Sequence, residues 1–289
     1  MTATVMVAGA DRVPRYKLTI AYDGTDYCGW QKQEPPDPDN PGQRTTLPTV
    51  QGVVEEAVRE VLREPGLVLA GASRTDSGVH ALGQVAAFTS EPDGASGVGW
   101  PAARGTERLV KALNAKLPRD VLVREAEVVD DAFEPIGGAL EKEYTYTIVS
   151  GETRPLWDRR YVWHTWYELD IERMRAAAAH LVGEHDFAAF AQINHGRKST
   201  VRTIFRCDIE IGLSDGKERR FVVRVAGNGF LYNMVRIVAG TLMEVGRGKI
   251  EPGDIPAILA SKDRRQAGAT LPPTGLRLEW VRYEDAQDQ

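Results

Sequence analysis

The sequence predicts an α+β fold in which one βαββαβ pattern runs twice along the chain. Three features carry that expectation. Apolar spacing switches between period two and period 3.6 in the same order in both halves. Clusters of Gly, Pro, Asn and Asp punctuate the switches. The 289 residues suffice for two units that bury a substantial core.

In the first round YKLTIAY (16–22) is strand-like. VQGVVEEAVREVLRE (50–64) follows, with Val50, Val53, Val54, Ala57, Val58, Val61 and Leu62 on one helical face. Next are expected a short strand over GLVLAG (66–71), a loop over 71–83 and a strand over QVAAF (84–88). A helix over about 104–117 and a strand over VLVREAEVV (121–129) complete the round.

The second round opens on KEYTYTIV (142–149). A helix starts at Asp170, a plausible N-cap, turns Met174, Ala177, Ala178, Leu181 and Val182 inward, and stops at Gly183. Strands IFRCDIEIGL (204–213) and RRFVVRVAG (219–227) flank SDGKE, a turn by its Asp-Gly. Residues 229–246 carry a helical face of Leu231, Met234, Val235, Val238, Leu242 and Val245, and TGLRLEWVRY (274–283) closes as a strand. βαββαβ is the ferredoxin-like order. The expected organisation is an N-terminal tail (1–15), a first unit (16–130) and a second (131–289). Their antiparallel sheets lie side by side, with helices on one face and a cleft at the junction. The Pro-rich stretch 33–48 and the stretch 91–105 read as irregular connectors.

A net charge of −5 argues against a uniformly basic nucleic-acid coat but permits a local basic groove. Cys28 and Cys207 are the only cysteines, which suggests neither a disulfide framework nor a zinc site and fits a reducing cytoplasm. No signal-like segment or apolar run of about 18 residues occurs, so a cytoplasmic protein with no membrane contact is expected.

Chemistry concentrates in GASRTDSGVHALGQVAAF (71–88). A strand–loop–strand connection can hold Asp76 at the edge of a cleft with Arg74 close by. Spacing alone allows an intraloop ion pair or an Asx-turn equally well. His80, in a Val-His-Ala setting, reads as a histidine satisfied by loop hydrogen bonds.

The stretch resembles the signature loop of the TruA-type tRNA pseudouridine synthases, Gly-Arg-Thr-Asp-x-Gly-Val-His followed by Gly-Gln-Val. YDGTDYCGWQKQ (22–33), KEYTYTI (142–148), LVGEHDFAAFA (181–191), GNGFLYNMVRIVAGTLMEVG (227–246) and KDRRQAGATLPPTGLRL (262–278) resemble further segments in family order. The resemblance spans about Tyr16 to Tyr283. It implies an isomerase that breaks the C1′–N1 bond of a uridine, turns the uracil and rejoins the ribose to C5, with no cofactor and no metal. It places the single catalytic aspartate on Asp76 and substrate-binding roles on Arg74, associated with base flipping, Tyr144, and Arg236, the partner of Asp76. The implied substrate is the tRNA anticodon stem-loop, at positions 38 to 40, bound by a homodimer.

The assignment is chemically sensible. An aspartate is ionised at neutral pH without a separate base. A cation about 4 Å away offsets its desolvation by on the order of 4 kcal/mol at an effective dielectric of 20. Arg236, in an apolar stretch that reads as mid-helix, calls for an acidic partner. Tyr144 can stack on an extruded uracil and place a hydroxyl at its edge, whereas Tyr146 reads as sheet packing. The target must be everted, and phosphate contacts from Arg74, Arg104, Arg197, Lys198 and Arg202 can offset that cost.

Five departures from the pattern stand out: Ser73 for a usual glycine, Ser77 for alanine, Asn233 for a frequent histidine, FEPIGGALEKEY (133–144), which lacks the Ala-Arg pair common after the phenylalanine, and a longer 33–48 loop. The alternatives are a pseudouridine synthase acting on another RNA and a non-catalytic RNA-binding protein suggested by NGFLY (228–232), whose apolar spacing continues as a helix. A glycoside hydrolase would need a second carboxylate beside Asp76, and no recognisable element supplies one.

Overall fold

The computed structural model describes residues 13–40, 42–192, 199–213 and 218–284. Alternation in β1 (Arg15–Tyr22) buries Tyr16, Leu18, Ile20 and Tyr22 on one face. Antiparallel β3 (His80–Thr89) and β4 (Val121–Val129) flank it. The second half supplies β5 (Glu141–Ser150), β8 (Val201–Gly212) and β9 (Arg219–Gly227). The last strand, β10 (Leu276–Arg282), runs parallel to β3 at His80 and Ala81 and antiparallel to β5. With β7 (Gly183–Asp186) at the edge, the order is β4-β1-β3-β10-β5-β9-β8-β7. Short β2 (Ala70–Gly71) joins β3, and β6 (Trp163–Thr165) joins β5. The result is a mixed α+β molecule with one large sheet and a hydrophobic core continuous across both halves.

Each long helix follows from its sequence. α1 (Val50–Leu62) is capped by the Thr49 hydroxyl, and α3 (Ile171–Ala179) by Asp170, which accepts from the N–H groups of Glu172 and Arg173. Between them lies α2 (Thr106–Asn114). α4 (Met234–Gly246) is buried almost all round, as its near-continuous apolar composition requires, and α5 (Ile255–Ser261) follows it.

Several expected elements change length for identifiable reasons. The strand expected over 66–71 shrinks to Ala70–Gly71 because side chains of α1 take its backbone groups. Leu69 N–H donates to Glu55, Gln51 donates to Leu69 O, and Arg59 donates to Leu67 O. β3 begins at His80 rather than residue 84, because β10 offers it a partner from the far end of the chain. The helix expected over 104–117 is a 3₁₀ turn at Ala102–Arg104 and then α2. The helix expected to run to Gly183 stops at Ala179; Gly183, at φ +112, starts β7 instead, and Val182 is exposed. The helix expected over 229–246 starts only at Met234, because Asn233 sits in the left-handed region at φ +61. β6, β7 and α5 lack a sequence signal long enough to predict them. The SDGKE turn lies largely outside the described residues.

Candidate active site

Residues 72–79 connect β2 to β3, and hydrogen bonds pin this loop at both ends and at Thr75. Ala72 N–H donates to Val85 O at 2.7 Å. Buried Gln84 then acts as a short extension of the ladder. Its Oε1 accepts from Ser73 N–H (3.2 Å) and Val85 N–H (3.1 Å), while its Nε2 donates to Ser73 O (2.6 Å). Thr75 O accepts from Trp30 N–H at 3.0 Å, and the Thr75 and Tyr22 hydroxyls share a 2.7 Å hydrogen bond. Gly78, at φ +77, donates to Tyr27 O and closes the tip; the Ser77 hydroxyl reaches the same oxygen at 3.1 Å. The Asp76 carboxyl, 28% exposed, makes no hydrogen bond among the described residues.

Its charged partner is Arg236, with Nη1 3.7 Å from Oδ2. That separation is too long for a direct hydrogen bond but short enough for strong Coulombic attraction. Arg236 occupies the first turn of α4 and not the middle of a helix, a correction that follows from the late start of α4. The guanidinium donates from Nε to Leu271 O at 2.6 Å and from Nη1 to Asn233 Oδ1 at 2.5 Å. Burial pushes the Asp76 carboxyl above its ordinary range, and Arg236 pulls it back only partly.

Tyr144, on β5 opposite Leu278 of β10, brings the second half of the chain to the same place. Its hydroxyl lies 2.8 Å from Ser73 Oγ, and its ring meets Phe230 edge-on at 5.2 Å between centroids. At 6% exposure the ring has no open face for a base to stack on, so Tyr144 presents its hydroxyl. Burial holds that hydroxyl protonated, pushing its pKa up to about 12 against the Ser73 hydrogen bond, with the Asp76 charge adding to the rise. Lys142, two residues earlier, donates to Ala72 O at 2.8 Å and ties β5 to the loop. Tyr146 packs as sheet and donates to Pro272 O.

Arg74 is exposed and has no hydrogen bond or ion pair among the described residues. His80 is buried: Gly24 N–H donates to Nδ1, leaving the proton on Nε2 to reach Arg160 O at 2.9 Å. Burial also lowers its pKa against the pull of Asp23, so the ring is a neutral structural link. The expected basic path is only partly gathered. Arg104 stacks on Trp100 at 3.9 Å, Arg202 bonds to Ser199 O and Val201 O, and Arg197 and Lys198 lie outside the described residues. Two open hollows, of about 520 and 420 Å³, lie elsewhere, beside His185 and Lys262 and beside Glu168 and Arg219.

Asp76, Arg236 and Tyr144 therefore meet around one loop, with Arg74 on its exposed side. Sequence reasoning missed Gln84, although the Gly-Gln-Val match contains it. It noted Ser73 and Asn233 only as departures, and the Leu271 carbonyl carries no side-chain signal at all.

The profile of the tRNA pseudouridine synthase family matches residues 18–135 and 177–284. A protein called tRNA pseudouridine synthase A from Caldicellulosiruptor saccharolyticus is 41% identical over 92% of this chain and 98% of its own. One of the same name from an Exiguobacterium species is 43% identical over 93% and 98%, and one from Bacillus pumilus is 41% identical over 94% and 100%. Among solved structures, the archaeal box H/ACA sRNP Nop10-Cbf5 complex overlaps at a TM-score of 0.31 and 12% identity, over 92% of this chain and 47% of that one.

Proposed function

The chain belongs to the tRNA pseudouridine synthase family, and from that premise we propose that the Asp76 carboxylate is the one catalytic group of the uridine isomerisation. It is an enzyme that converts uridine in tRNA to pseudouridine. The observation that carries the site reading is the placement of Asp76. A half-shielded carboxylate, on a loop pinned at both ends, stands 3.7 Å from a held guanidinium.

The chemistry needs an anion that attacks at the ribose C1′ or adds to the base, and both routes use the same carboxylate. The C1′–N1 bond breaks, uracil turns, the C5–C1′ bond forms, and the C5 proton departs as N1 regains one. The Tyr144 hydroxyl, protonated at working pH, stands at the base edge for that proton traffic. Arg74 fills the stack or holds phosphate as the nucleotide everts, a role supported by its exposed guanidinium, which has no partner among the described residues.

The finer substrate reading is the anticodon stem-loop at positions 38 to 40, recognised by shape in a homodimer. The fold is read as two tandem ferredoxin-like units, 16–130 and 131–289. The strand orders β4-β1-β3 and β10-β5-β9-β8 on either side of one seam support this. A cytoplasmic location is supported by the two free cysteines. No helix among the described residues is long and apolar enough to cross a membrane.

The test is tritium release from unmodified tRNA labelled at uridine C5. The wild type is expected to release label, while Asp76→Asn loses at least about 10³-fold in rate with tRNA binding retained. Label release by the variant at wild-type rate would remove Asp76 from the chemistry, and RNAs altered singly at positions 38, 39 and 40 report the site.

A further inference from the structure

Asn233 stands at the N-cap of α4, where an asparagine ordinarily accepts a hydrogen bond from an N–H two or three residues on. It makes no such bond, and its backbone sits at φ +61. Both departures disfavour the helix taken alone. The side-chain amide is turned sideways instead: Oδ1 accepts from Arg236 Nη1 at 2.5 Å, and Nδ2 donates to Gln192 Oε1. Gln192 is itself anchored by its N–H to Tyr232 O at 3.2 Å. At 8% exposure, Asn233 has little water with which to exchange these partners.

Two neutral acceptors, Asn233 Oδ1 and Leu271 O, thus fix the plane of the Arg236 guanidinium without neutralising it. Its charge is left facing Asp76. Among the described residues, the other titratable groups facing the pair are Tyr144, beside Asp76, and Tyr146, beside Arg236, both from β5 and both kept neutral by burial. We propose that Asn233, braced by Gln192, is a positioning residue that holds Arg236 at its distance from Asp76 and keeps its full charge available to that carboxylate. The inference rests on the reading of Asp76 as the catalytic anion.

The test uses the full chain and tRNA tritiated at uridine C5, with kcat and KM followed across about pH 5–9. Asn233→Ala is expected to lower kcat about tenfold and leave KM within about twofold. It also moves the acid limb of kcat to higher pH, because a loosened guanidinium opposes protonation of Asp76 less. Asn233→Asp, nearly isosteric, is expected to lose more, since a carboxylate there draws the guanidinium to itself. Gln192→Ala, at an exposed position, shifts kcat and the acid limb the same way by less, and the two alanine changes combine non-additively. A folded Asn233→Ala with unchanged kcat and acid limb, or with its loss confined to KM, overturns the proposal. If that variant does not fold, Gln192→Ala decides by the same criteria. Asp76→Asn runs alongside: turnover retained there sinks the site reading itself, whereas a dead Asp76→Asn beside an unaltered Asn233→Ala sinks the clamp alone.

Discussion

At the scale of single residues, the cost of keeping Asp76 charged is visible as a linkage between pH and stability. A carboxyl whose folded-state pKa lies above its ordinary 3.8 binds its proton more tightly in the folded chain. Its ionised form therefore destabilises the fold at neutral pH, and that penalty fades as pH falls through the raised value and is gone below 3.8. Asp76→Asn is expected to melt higher than the wild type at pH 7, with the gap closing toward about pH 4, readable by calorimetry at several pH values. A gap that widens on acidification would contradict the sign of the shift. Tyr144→Phe keeps the ring packed on Phe230 and removes only the hydroxyl. It should cost about 1 kcal/mol of stability or less and about 10²-fold in kcat with binding intact, measured in single turnovers. The candidate site was legible to very different degrees. Asp76 reads from its motif, since its loop alone fits an ion pair equally well. Asn233 could be seen to differ from the usual residue, but its partner Gln192 is 41 positions away, beyond any local pattern.

At the scale of elements, periodicity found what a single face of a single segment can encode. α1 shows a clean apolar stripe, and the apolar residues assigned to α4 are all buried. Starts and stops fared worse because they are set by partners: β3 gains His80 and Ala81 from its pairing with β10, and β2 loses residues to the side chains of α1. α4 also depends on a contact that sequence pattern does not disclose. A Cβ at Gly240 would lie 2.0 Å from Ala269 O, and Thr241 Oγ1 accepts from Gly268 N–H at 2.9 Å. The helix and the 268–271 segment thus touch backbone to backbone, and that segment carries the carbonyl holding Arg236. Gly240→Ala is expected to cost about 1–3 kcal/mol by overpacking, a fall of roughly 3–10 °C in Tm. It lowers turnover as well, because Leu271 is displaced. An unchanged melting curve would show that the segment yields freely.

At the scale of the whole molecule, β10 is the piece on which both halves converge. It fills the space between β3 and β5, and the pairs His80–Arg277 and Tyr144–Leu278 lie at opposite edges of it. Ending the chain at Gly275 strips both neighbours of a partner and leaves two long unpaired edges. Loss of the cooperative melt and aggregation at micromolar concentration are expected, checked by light scattering and calorimetry; a soluble, cooperatively melting truncation would show that each half closes its own sheet. The α+β class was legible because segments of both periods run through each half. The closing of the two halves around one strand was not, since nothing local in TGLRLEWVRY says which strands receive it.

The same seam orders events in time. The peptide bearing Asp76 leaves the ribosome roughly two hundred residues before the strand that completes its surroundings. A nascent chain therefore carries the Asp76 carboxyl without its full surroundings until β10 has been made and has paired with β3. The loop and its neighbours on β5 are thus assembled in one late step, when β10 docks between the two halves, and not gradually as each element emerges.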